Sequence, residues 1–172
     1  MKGLGPRWRG QSVACAVVVG LGFAAGASAA PKHGAHYTGR GPDYMNKASK
    51  WTRAATAHVS FNTSANGADV VSFDGVFHYY CGSGKGYITA KKIRIKSDGS
   101  FSDRGHHVDK EGAEYLSIWG KFNKSGTSAK VSYRFDFVYT GKHVKHPYST
   151  KVKPRLDACE SWVRATTRVT TG

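Results

Sequence analysis

The chain has 172 residues, with 26 Lys plus Arg against 11 Asp plus Glu, and three cysteines. That length bounds it to one compact domain. A composition of 40% hydrophobic and 22% charged residues excludes an intrinsically disordered chain and a polytopic membrane protein.

Residues 1–29 read as a secretory signal peptide. Lys2, Arg7 and Arg9 precede an apolar run over residues 13–26, and Ala27-Ser28-Ala29 supplies small residues before the cut. The run is shorter than the ~20 residues a helix needs to cross a bilayer. Cleavage after Ala29 is preferred, because a cut after Ala30 would set the rigid ring of Pro31 beside the scissile bond. No second apolar stretch of spanning length follows, so the expected mature chain is extracellular, without an integral membrane span, and monomeric. Removing Lys2, Arg7 and Arg9 from 26 basic residues leaves 23 against 11 acidic ones, a balance of +12. Polyanions are the default electrostatic partners of such a chain.

Cys15 leaves with the signal, so Cys81 and Cys159 remain, in a chain bound for an oxidising compartment. A single disulfide between them is the economical reading. Neither cysteine stands in a Cys-x-x-Cys pair or a ligand-spaced cluster, which weakens the alternatives of a nucleophilic thiol or a metal site.

Residues 30–54 carry Gly34, Gly39, Gly41 and Pro42 among basic side chains, with little apolar periodicity, and read as a flexible basic arm. The domain proper is expected over residues 55–172. Here β-branched and aromatic residues recur in short runs between glycine-containing turns. Strands are predicted near 57–61 and 70–81, flanking a turn at Asn66-Gly67, with Gly75 breaking the second. Between Gly86 and Lys96 the apolar parity changes from Ile88 and Ala90 to Ile93 and Ile95, which predicts a β-bulge near Lys91. Ser97-Asp98-Gly99-Ser100 reads as a turn.

Over residues 115–122, Leu116, Ile118 and Phe122 share one face. Over residues 131–139, Val131, Tyr133, Phe135, Phe137 and Tyr139 do so, against Ser132, Arg134 and Asp136. With the turn at 123–126 these two segments predict a hairpin. The last strand sets Val163, Ala165, Thr167 and Val169 against Trp162, Arg164, Thr166 and Arg168. About seven strands, each with one apolar face, predict an all-β antiparallel β-sandwich in preference to a closed barrel.

The order Cys81, Ile93-x-Ile95, Asp98-Gly99-Ser100-Phe101-Ser102, Gly120-Lys121-Phe122, Gly126 and Cys159-x-x-Trp162-x-x-Ala165 resembles a recurring group of secreted actinobacterial β-sandwich proteins with one disulfide and no assigned activity. The likeness spans roughly residues 73–165. It implies fold and compartment, and brings no catalytic residue.

Three sets of side chains are candidates for chemistry. Lys92, Arg94 and Lys96 share a strand parity, as do Arg164 and Arg168, and Arg134 points away from its strand's apolar face. Together they could bind an anionic polymer or an anionic cell surface, with Tyr115, Trp119 or Trp162 as stacking platforms. The plainer reading is solubility and edge protection. His106, His107 and Asp109, near Glu111 and Glu114, are the local mix of bases and acids that a small secreted hydrolase would need. His143 and His146 form a His-x-x-His, but Lys142 and Lys145 repel a cation there. Gly82, Gly84 and Gly86 fail the phosphate-loop spacing, and no helix is expected after them. No cofactor is expected. The leading expectation is a non-enzymatic binding protein; a hydrolase and an extracellular inhibitor are the alternatives.

Overall fold

A computed structural model describes residues 30–47, 50–79, 81, 84–108, 110–139 and 158–170. The expected signal peptide, Asp109, His143 and His146 lie outside them. The described residues hold eight strands: β1 (His36–Lys47), β2 (Lys50–Thr63), β3 (Asp69–Tyr79), β4 (Gly84–Arg94), β5 (Ser100–Val108), β6 (Gly112–Phe122), β7 (Ser128–Tyr139) and β8 (Ala158–Val169). All pairings are antiparallel, and the strands follow one another in the order β4-β3-β2-β1-β8-β7-β6-β5.

This is an up-and-down meander in which the first strand pairs with the last. β4 and β5 meet in one bridge, Ile95 with Phe101, so the sheet is a nearly closed barrel. The sequence expectation of two stacked sheets with about seven strands is corrected accordingly. Inward parity alone cannot tell a second sheet from the far wall of the same sheet, since either one covers an apolar face.

The expected basic arm is the other correction. Residues 36–47 form β1, between β2 and β8 in the middle of the strand order. Its glycines serve close approach. A Cβ at Gly39 or Gly41 would overlap the carbonyl oxygen of Thr166 or Arg164 on β8, so only glycine lets the two backbones lie this close. Gly75 likewise does not interrupt β3: a side chain there would press on the ring of Tyr133.

The bulge expected near Lys91 has a counterpart. The β3–β4 ladder runs from Asp69↔Arg94 to Tyr79↔Gly84 but omits the pair of Ser72 and Lys91, and Ser72 takes a φ of 52°. Both strands change their inward parity there, bringing Val70 and Ile93 on one side and Phe73 and Ile88 on the other into the core. The hairpin expected from residues 115–139 forms in full, from Gly112↔Tyr139 to Phe122↔Ala129.

Inside, Tyr37, Phe61, Phe73, Phe101 and Phe122 pack ring against ring, with Tyr37 and Phe61 stacked at 5.0 Å. This plug lies at the end of the barrel that carries the three tight turns with Gly67, Gly99 and Gly126 at positive φ. Among the described residues the opposite end is open, and it carries the disulfide, Cys81–Cys159, which ties the end of β3 to the start of β8. No helix among the described residues is long and apolar enough to cross a membrane.

The disulfide spans 78 residues of sequence. A loop of that size predicts that Cys81→Ala/Cys159→Ala loses about 2–4 kcal/mol of unfolding free energy, chiefly through a less constrained unfolded chain. Urea unfolding under oxidising conditions measures this as a lower midpoint; an unchanged midpoint would contradict it.

Candidate functional site

The alternation of β6, β7, β8 and β1 sends one set of side chains into the core and the other outward. Because the four strands are adjacent, register converts the outward set into transverse rows. Lys121 lies opposite Lys130, Lys130 opposite Thr166, and Thr166 opposite Arg40. The next row sets Trp119 against Ser132 and Ser132 against Arg164, and a third sets Ser128 against Arg168 and Arg168 against Thr38. With strands about 4.8 Å apart, the row from Lys121 to Arg40 spans roughly 14 Å.

Arg40, Lys121, Lys130, Arg164 and Arg168 are all exposed. Among the described residues Lys121 alone of these five reaches a carboxylate, with its Nζ 3.0 Å from Asp98. Lys121 and Lys130 face each other directly, an arrangement of like charges that weakens a ladder. A groove of about 480 Å3 runs over this face, with Tyr44 and Trp119 among its walls beside Lys121, Lys130 and Arg164. Asp98 also holds the β4–β5 turn, accepting from the Ser100 backbone N–H and hydroxyl; these bonds, with Lys121, hold its carboxyl well below the usual range.

The sequence-predicted cations do not all reach this face. Arg164 and Arg168 do. Lys92, Arg94 and Lys96 belong to β4 and its following turn, four strands from β8 in either direction around the barrel. Lys92 and Arg94 approach the buried carboxylate of Asp69, at 3.3 and 3.8 Å, and so stabilise an anion of the protein itself. The sequence missed Arg40, Lys121 and Lys130, because membership of one row depends on register between strands.

Arg134 is the clearest correction. It points outward as expected, yet it is buried, because Asn46 and Trp51, paired across the tip of the β1–β2 hairpin, reach over the outer side of β7 and β8. Its guanidinium donates from Nε to Asp136 at 2.7 Å and from Nη2 to Glu160 at 2.6 Å. Asn46 donates to the second oxygen of Glu160 at 2.9 Å, and the Trp51 ring centroid lies 5.9 Å from the Arg134 carbon. Trp162, expected as an open platform, is half-buried against Trp51, with the Arg164 guanidinium over its ring.

One guanidinium thus serves two neighbouring carboxyls. Burial pushes the Asp136 carboxyl up to about 7, Arg134 opposes that rise, and the charge of Glu160 adds to it.

Of His106, His107 and Asp109 in the hydrolase reading, only the two histidines are among the described residues, and these two do not converge. His106 and His107 are consecutive on β5 and so project to opposite sides of the strand. His106 stacks on Tyr115 with centroids 6.3 Å apart, while His107 stands opposite Glu114. A serine, an aspartate and a histidine do meet elsewhere, in the wrong order for catalysis. Buried Asp43 accepts from the Ser161 hydroxyl at 3.0 Å and from the backbone N–H of His78 at 2.7 Å, and its Oδ2 lies 2.7 Å from His78 Nδ1. With the carboxylate between the other two, no base touches the serine oxygen. Burial raises the Asp43 carboxyl despite these bonds. Among the described residues no three His, Cys, Asp or Glu gather as a metal site. No family model, curated protein or solved structure matches this chain.

The raised Asp136 carboxyl means that the folded chain binds a proton more tightly than the unfolded one. Stability should therefore fall as pH rises from about 4 toward 7, by an amount on the order of a few kcal/mol at most. Asp43 acts in the same sense, whereas Asp98 contributes stability that is lost only in stronger acid. Asp136→Asn, which keeps the shape and removes the charge, should flatten the dependence between pH 5 and 7.5 in urea titrations. An equally steep profile in that variant would refute the assignment.

Proposed function

We propose that this chain is an extracellular, non-enzymatic protein that holds an anionic polymer against the outer face of β6, β7, β8 and β1. One observation carries the reading: register brings five exposed cations onto that face, three of them, Lys121, Lys130 and Arg164, beside a groove with aromatic walls, and Lys121 and Lys130 face each other directly. Such a pair costs stability until an anion sits between its members. A chain of phosphates or sulfates does this for a whole row, and the aromatic walls at Tyr44 and Trp119 offer apolar contact to the sugar or backbone between the charges.

The fold strengthens the electrostatic case. Among the described residues Asp43, Asp69, Asp136 and Glu160 are buried, and Arg134 is the basic residue buried with them. The described surface is therefore more basic than the composition of the same residues. Secretion after removal of residues 1–29, and kinship with the secreted single-disulfide group that the chain resembles, both fit an extracellular role; the Cys81–Cys159 bridge supports them.

Retention on heparin and on immobilised polyphosphate should fall steeply with salt. Lys121→Ala, Lys130→Ala and Arg164→Ala should each reduce the slope of log affinity against log salt by about one, as expected for one lost ionic contact. Lys92→Ala and Arg94→Ala should change it less. Salt-independent retention, or equal losses from both sets of variants, would overturn the assignment to this face.

A further inference from the structure

We propose a second binding site, at the open end of the barrel, for a small organic cation with an apolar body. The end encloses a cavity of about 430 Å3, within the usual range for small-molecule sites. Phe77 and Phe135 stack at 4.8 Å in its wall, Tyr79 leans on Phe135 at 5.9 Å, and Phe137 meets Tyr139 edge to face at 5.0 Å.

Gly84 and Gly86 on β4 make this wall. They stand opposite Tyr79 and Phe77, and a Cβ at either glycine would overlap the ring across from it. The glycine-rich stretch after Cys81 thus lays aromatic rings flat along β4. At the rim, Tyr87 and Tyr139 remain 67% and 51% exposed, two of the three large hydrophobic side chains exposed among the described residues.

The described lining of the cavity is opposite in charge to the molecule. Among the described residues it contains Glu111 and Glu114 and no Lys, Arg or His, in a chain of net charge +15. Glu114 is also out of place by the alternation of β6. It shares the inward parity of Leu116, Ile118 and Phe122, and its ladder partners are Phe137 on β7 and the exposed His107 on β5. A carboxylate at an inward position breaks the local pattern, and such breaks concentrate at sites that bind something. Aromatic faces and a carboxylate recognise the same ligand charge, since the ring quadrupole attracts a cation held over it. The remote surface cations are screened beyond about 8 Å at physiological salt and do not cancel this local preference.

The test uses benzyltrimethylammonium as the cation, benzyl alcohol as a neutral probe and phenylacetate as an anion, each titrated into the oxidised protein by calorimetry and ligand-observed NMR. The cation should bind saturably and the anion should not, with benzyl alcohol at least several-fold weaker. Glu114→Gln and Tyr87→Ala should each weaken the cation roughly 5- to 30-fold. Unchanged circular dichroism and melting temperature would show that both variants fold. Lys130→Ala, on the polymer-binding face, should leave cation binding intact, so either site can fail without the other. Absence of saturable cation binding, comparable binding of all three probes, or wild-type affinity in a folded Glu114→Gln would each overturn the proposal.

Discussion

Pairing of β1 with β8 is the constraint on which the rest depends. It joins two four-strand meanders, β1–β4 and β5–β8, into one sheet whose inner face can be covered by its own far wall. Without it both meanders would present long free edges and an apolar face each, a state that invites aggregation. The contact rests on backbone approach more than on side chains. Gly39 and Gly41 leave room for the carbonyls of Thr166 and Arg164, and the aromatic plug of Tyr37 and Phe61 closes behind them. The same pairing places Arg40 beside Thr166, so the closure that completes the core also completes the transverse row of cations.

Charge is sorted by this geometry. Carboxylates that lie under the β1–β2 hairpin or inside the barrel are partnered there: Asp43 by Ser161 and His78, Asp136 and Glu160 by Arg134. Breaking such a buried set by removing one member is costly, because the remaining charge stays desolvated. Arg134 is therefore a structural residue, although its sequence position, outward on an amphipathic strand, is the position of a surface ligand. The cations that stay wet are those beyond the reach of the hairpin tip, as Lys130, Arg164 and Arg168 are on the same two strands that carry Arg134 and Glu160.

Strand identity was legible in the sequence because alternation is local. Val131, Tyr133 and Phe135 declare their face without reference to any other strand, and Gly67, Gly99 and Gly126 occupy the left-handed turns their sequence contexts imply. The disulfide was legible because two cysteines in a chain expected to be exported leave few choices. What escaped was information held between strands. β1 reads as an arm because the glycines that fit it against β8 look like flexibility when β8 is not in view. The row of Lys121, Lys130 and Arg40 draws on three strands far apart in sequence. Burial of Arg134 depends on a hairpin tip nearly ninety positions away, and the cavity wall depends on Gly84 and Gly86 facing Tyr79 and Phe77 across a ladder.

The two ends of the barrel differ for a physical reason that bears on where binding can occur. At the closed end, three short turns lock their strands in register, and Thr63 and Tyr37 tie down residues 32–35 through backbone and hydroxyl hydrogen bonds. The rings of Tyr37, Phe61 and Phe122 fill the interior there. At the other end β3 leaves β2 after the pair of Gly75 with Val59, and β5 leaves β4 after a single bridge, so the wall opens in two places. The covalent bond between Cys81 and Cys159 spans the first of these openings and holds β3 near β8 where hydrogen bonds no longer do. Phe77 and Phe135, stacked at 4.8 Å, floor this end, and an opening held at fixed width leaves the cavity beside them formed in advance, which lowers the ordering cost of any binding there.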